Sequence, residues 1–161
     1  MRRRFLLAAA VALAGCGFEL KRPPALNFGK IQLSGFASRS PLAAELKSSI
    51  DASTTTRVVE AGQGAQAVLQ AINEAREKVV VAQTAANQIR EFELRVRFSF
   101  RLLDPTSKVL IPDSEIVQTR SLTYTESAAL GKEQEEAFLY RGMQSDIVSQ
   151  VLRRLASVHP L

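Results

Sequence analysis

Residues 91–103 read EFELRVRFSFRLL. Phe92, Leu94, Val96, Phe98, Phe100 and Leu102 alternate with Glu91, Glu93, Arg95, Arg97, Ser99 and Arg101. Side chains along a strand point to opposite faces with a period of two, so this stretch predicts a long strand of an antiparallel sheet with one buried face. Asp104-Pro105-Thr106-Ser107 supplies a turn, and the chain returns through Lys108–Ile111 and again through Glu115–Tyr124. Pro112 lacks an N–H and marks an edge, a bulge or a break in that return.

On the C-terminal side the period changes at Glu126. Leu130, Leu139, Met143, Ile147, Val151 and Leu155 form a helical stripe flanked by Phe138, Val148 and Leu152. About 30 residues of helix are expected. Acids cluster near its start (Glu133, Glu135, Glu136) and Arg153-Arg154 near its end, the polarity that the helix dipole favours. Gly131 and Gly142 are points where it could bend.

On the N-terminal side, residues 65–82 read two ways. Ala, Gln, Glu and Arg suit a helix over 65–77, whereas Val79-Val80-Val81 suits a strand. Ser40-Pro41 starts a short helix, with Ser as N-cap and Pro at the first helical position. Leu42, Leu46 and Ile50 give that helix one apolar face. Thr54–Val59 could add a short extended piece, and Phe28–Phe36 is a strand.

The chain of 161 residues is long enough for one domain. Residues 1–15 read as a signal segment: Arg2-Arg3-Arg4, then the apolar run Phe5–Ala14, too short to span a bilayer. Leu13-Ala14-Gly15-Cys16 closes it in the pattern of bacterial lipoprotein processing, with the Cys16 thiol as the lipidation site. Residues 16–27 then form a lipidated N-terminus and tether, and 28–161 the globular domain. Gly17, rather than Asp, after the cysteine favours delivery to the outer membrane. Removing Arg2, Arg3 and Arg4 takes the basic count from 21 to 18 against 16 acids, so a net charge of +5 falls to +2. The apparent basicity therefore belongs to the signal and does not argue for nucleic acid. The 8 Phe and 2 Tyr offer no stacking array for bases either.

Chemistry is sparse. One Cys and one His, His159, exclude Cys-cluster zinc sites and most catalytic triads. No phosphate loop, dinucleotide fingerprint or nucleophile elbow is present, and no cofactor is implied. Glu91 and Glu93 would lie roughly 7 Å apart on a solvated strand face, balanced by Arg95 and Arg97. An enzyme is not expected. Arg95, Arg97 and Arg101 form a basic row that could pair phosphates or a partner's carboxylates, or be a solvated face.

Four segments in this order resemble the LPS-assembly lipoprotein family, LptE. They are Cys16-Gly17-Phe18-Glu19-Leu20, Arg90-Glu91-Phe92-Glu93-Leu94, Val109-Leu110-Ile111-Pro112 and Leu130-Gly131-Lys132-Glu133-Gln134-Glu135-Glu136. The resemblance implies an α+β fold: about four strands in a mixed or antiparallel sheet, two helices on one face, order β-α-β-β-β-α. It implies that 65–82 is a strand. It also implies an outer-membrane address on the periplasmic face, a β-barrel partner, LptD, plugged by this domain, and contact with lipopolysaccharide. Lys132 matches a basic position of the family, with Arg90, Arg95, Arg97 and Arg101 as further contact candidates. Where some members carry Arg in a hairpin, this chain has Thr84-Ala85-Ala86-Asn87, with Arg90 only later. The competing reading is an auxiliary lipoprotein of an ABC-type phospholipid transport system. A lipid-anchored hydrolase would need a nucleophile and base in one cleft.

Overall fold

A computed structural model of the protein describes residues 24–158. The signal segment, Cys16 and His159 lie outside the described residues. The elements are β1 (Lys30–Ser34), α1 (Pro41–Asp51), β2 (Arg57–Val59), β3 (Ala67–Gln83), β4 (Ile89–Leu103), β5 (Val109–Thr123), a short 3-10 turn (Glu126–Ala128) and α2 (Ala129–Ala156). The sheet order is β2-β1-β3-β4-β5. β1 runs parallel to β2 and β3, and β3-β4-β5 is an antiparallel meander. Five strands form where about four were expected, because Arg57–Val59 pairs with β1. The α+β architecture with two helices on one face holds.

β4 organises the core. Leu94, Val96, Phe98, Phe100 and Leu102 are all buried, while Glu91, Glu93, Arg95, Arg97, Ser99 and Arg101 are half-exposed on the opposite face. Against the buried face pack Leu42, Leu46 and Ile50 of α1 and Met143, Ile147, Val151 and Leu155 of α2. Removing each such side chain from water contributes about 2 kcal/mol. Ser40 Oγ accepts from the Ala43 N–H at 3.0 Å, the expected N-cap, and Pro41 opens the helix. Leu26, expected in the tether, is buried in the core.

Residues 67–83 are strand, as the resemblance implied and against helix propensity. Ala67, Leu69 and Ala71 are buried in alternation, and a register shift then falls between Ala71 and Asn73. Pro112 coincides with another: β5 pairs Leu102 with Ile111 but Phe100 with Ser114. β5 is also an edge strand, where a missing donor is tolerated.

One sequence expectation is corrected. Leu130 and Phe138 are 74% and 67% exposed, not members of the buried stripe. Helix geometry explains it. At about 100° per residue, five residues before Met143 places Phe138 roughly 140° round the helix from the core line, and Leu130, thirteen before, falls about as far round on the other side.

Two carboxylates fasten the chain locally. Burial alone would raise the Asp51 carboxyl, but the Val58 N–H and the Lys47 ammonium hold it below its ordinary value of 3.8. Asp104 is lowered by the Thr106 hydroxyl and the Lys108 N–H in the β4–β5 turn. A depressed folded value means stability present above the unfolded pKa and lost as pH falls through the folded one. Melting temperature should therefore fall below about pH 3.8. The double substitution Asp51→Asn, Asp104→Asn should flatten that decline. An unchanged acid slope in thermal melts would contradict the assignment.

Candidate functional site

The described chain enters the fold beside the C-terminal end of α2. Asn27 Nδ2 donates to the carbonyls of Ala156 (3.2 Å) and Val158 (2.8 Å), and Thr56 Oγ1 donates to Phe28 O at 2.7 Å. At the other end of α2, about 36 Å away along its axis, its first turns meet the far end of the meander. There the start of β4, the end of β5 and β3 come together.

Two lysines converge at this far end. Lys132, on α2, donates to Thr123 Oγ1 at 3.1 Å and pairs with Glu135 at 2.7 Å. Lys78, on β3, pairs with Glu136 at 2.6 Å and sits 4.2 Å from the Phe92 ring centroid, a cation–π distance. Both line a recess of about 170 Å³, together with Glu133 and Glu136, whose apolar walls are Ile89, Phe92, Leu122, Tyr124 and Ala129. Phe92 and Tyr124 meet edge to face with centroids 5.4 Å apart. Arg90 lines an adjoining recess that shares Ile89, and its carbonyl accepts from the Tyr124 N–H at 2.8 Å. Each lysine already has a carboxylate partner, so an incoming phosphate would exchange one anion for another. The apolar walls suit hydrocarbon. The pair can thus hold an amphiphile with an anionic head.

Lys132 and Arg90, both named from the sequence, are brought to this end together. Arg95, Arg97 and Arg101 are not. They project from the opposite face of the sheet, each against acids: Arg95 with Glu93 and Glu77, Arg97 with Glu115 at 3.7 Å, Arg101 with Asp113 at 3.6 Å. Arg101 Nε also donates to Gln70 at 2.9 Å. The row is neutralised within its own face, as a solvated strand face would be. Lys78 was missed in the sequence. Its signal was available only once β3 was read as a strand in register with β4, since pairing with Leu94 turns Lys78 toward the helices.

Beside this end, a half-buried polar knot centred on Gln144 ties β3 to both helices. Gln144 accepts from Arg76 Nη2 at 2.7 Å and donates to Glu45 Oε2 at 2.6 Å. The Tyr140 hydroxyl donates to Glu77 O at 3.0 Å. Burial and the nearby Glu136 push the Tyr140 phenol above its ordinary pKa, against a smaller opposing effect of Arg76, so it stays a donor. Among the described residues no cluster of His, Cys, Asp and Glu fits a metal ion, and no helix is long and apolar enough to cross a membrane.

The fold and sequence have relatives. Lipoprotein B of Nitrosomonas europaea, an uncharacterised protein solved by NMR, is 31% identical and superposes with a TM-score of 0.75. The match covers 88% of this chain and 91% of that one. Rare lipoprotein B of Shewanella oneidensis is 19% identical with a TM-score of 0.68, over 80% of this chain and 95% of its own. A minor lipoprotein of Acinetobacter baumannii is also 19% identical with a TM-score of 0.66, over 83% and 94%. These last two speak for the fold. No curated protein matches the sequence. The family match to LptE, described as lipopolysaccharide-assembly, spans residues 28–155, most of the chain. With the strand order, the two helices and the lysine-bearing end of α2 all lying inside that span, the chain belongs to the LptE lipopolysaccharide-assembly family.

Proposed function

We propose that the protein is a non-enzymatic outer-membrane lipoprotein, anchored through Cys16, that plugs the LptD barrel and contacts lipopolysaccharide at the Lys132–Lys78 end. Family membership supports the assembly role and makes LptD the usual partner. The observation that carries the reading is the convergence of Lys78 and Lys132 on one apolar recess, remote from where the chain enters the fold. Lipopolysaccharide offers phosphates for the lysines and acyl chains for the half-buried Ile89 and Phe92. A plug also needs a polar outer surface, because barrel lumens are polar. The half-exposed Glu and Arg residues of β4 supply one. A lipid tether keeps the plug at the barrel's own membrane and raises its effective concentration.

Mild-detergent purification of the intact lipoprotein should bring down a large outer-membrane β-barrel in near-equal amount. Recovery as a lone monomer would overturn the plug reading. Lys132→Glu should weaken lipopolysaccharide binding by about tenfold, the order of one charge-assisted contact, with Lys78→Glu acting similarly. The melting temperature should barely move, because partly exposed ion pairs contribute about 0–1 kcal/mol. Unchanged binding with unchanged melting would remove the recess from the site. Recovery with inner-membrane ABC components instead would favour the phospholipid-transport reading.

A further inference from the structure

β3 is longer than its neighbour on one side. β1 pairs with Ala67–Gln70 and then leaves at Gly35, whose backbone is in the left-handed region (φ 75°) and packs so tightly on Ala71 O that no Cβ would fit. From Ile72 to Gln83, β3 has β4 on one side and, among the described residues, no strand on the other. Which backbone groups this leaves open follows from the ladder. Tyr124 N donates to Arg90 O, so even-numbered β4 residues bond β5 and odd-numbered ones bond β3. In the register Glu77↔Arg95 and Val79↔Glu93, the N–H and C=O of Arg76, Lys78 and Val80 then face outward, unpaired with any strand of the described residues. The same stretch exposes Ile72 (46%), Val79 (48%), Val80 (37%) and Val81 (51%). Beside it, a groove of about 550 Å³ runs between the strand and the helices, lined by Arg76, Glu136, Ala137, Tyr140, Arg141 and Gln144. An open strand edge with exposed β-branched side chains and a helix wall is the form of a site that takes up an extended peptide as an added strand.

We propose that the Ile72–Gln83 edge of β3 is completed by an extended segment of the barrel partner, lying in the line that β1 vacates. This rests on the barrel reading above and adds where the partner docks. A closed barrel has no free strand, so the segment comes from one of its loops or from a part outside the barrel. A second copy of this chain fits the edge poorly. Antiparallel self-pairing over the whole edge would centre on Glu77 or Lys78. The first sets Glu77 against itself and Arg76 against Lys78; the second sets Lys78 against itself. Like charges directly opposite are destabilising.

Hydrogen exchange on the intact lipoprotein, free and in purified complex with the barrel, tests this. The amides of Arg76, Lys78 and Val80 should exchange quickly when free and at least about tenfold more slowly in the complex. Val80→Pro removes an outward N–H without touching the β4 ladder and should weaken capture by about five- to tenfold, the order of one hydrogen bond. Val80→Lys is the companion variant in case the proline disturbs folding. A complex that forms without protecting these amides overturns the edge proposal and leaves the plug reading standing. No complex at all overturns both. Protection that rises with concentration in the free protein makes the occupant a second copy and overturns the assignment to the barrel.

Discussion

Phe98→Ala is expected to cost about 4 kcal/mol, a large part of the stability of a domain this size. The ring is fully buried. It stacks on Phe36 at 5.7 Å and on Phe100 at 5.5 Å between centroids, and its strand position pairs with Ile116 of β5. Truncation loses the transfer free energy of the ring and leaves a cavity among neighbours fixed on three different strands and loops. Such a cavity collapses poorly. The midpoint of thermal unfolding should fall by about 10 to 15 °C. Phe138→Ser is the matched control, since Phe138 is 67% exposed. It should change stability by less than about 0.5 kcal/mol. If denaturant titration gave the two variants equal losses, the placement of the core on the even-numbered face of β4 would be wrong.

The contrast between these phenylalanines shows what could be read from the chain. β4 was legible because it meets water on one face and the helices on the other over its whole length, so polarity alternates without a break. β3 was not, and the register shift at Ile72 is the reason. Before it the inward residues are odd-numbered: Ala67, Leu69 and Ala71. After it they are even-numbered: Arg76 and Lys78 turn to the helix side. A bulge thus splits one strand into two opposite patterns, neither long enough to stand out from helix propensity. Family resemblance supplied what periodicity could not. The candidate site suffered from the same break. Lys132 was visible through the family's motif, whereas Lys78 became a candidate only through its pairing with Leu94. The arginine row was easy to see, but its acidic partners were not. A strand pattern gives the face of a side chain but not its cross-strand partner, and here Glu77, Glu115 and Asp113 come from the two neighbouring strands.

Cys16→Ser should abolish acylation and membrane partitioning while leaving the folded domain intact. Each buried methylene of an acyl chain contributes about 0.8 kcal/mol, so losing two or more chains removes stable anchoring outright. The fold should not notice, because the core of the described residues begins at Leu26, ten residues on. Two measurements separate these effects. Labelled palmitate should appear on the wild type and not on the variant. The variant, produced behind an ordinary cleavable signal so that no precursor is retained, should move from the membrane to the soluble periplasmic fraction and melt at the wild-type temperature. The barrel interaction should weaken without vanishing. Untethering changes the effective concentration and not the contacts, so raising expression of the soluble form should restore capture. If capture failed at every concentration, the lipid would have to be part of the contact itself. Palmitate on the serine variant would refute Cys16 as the anchor and, with it, the proposed path from signal segment to outer membrane.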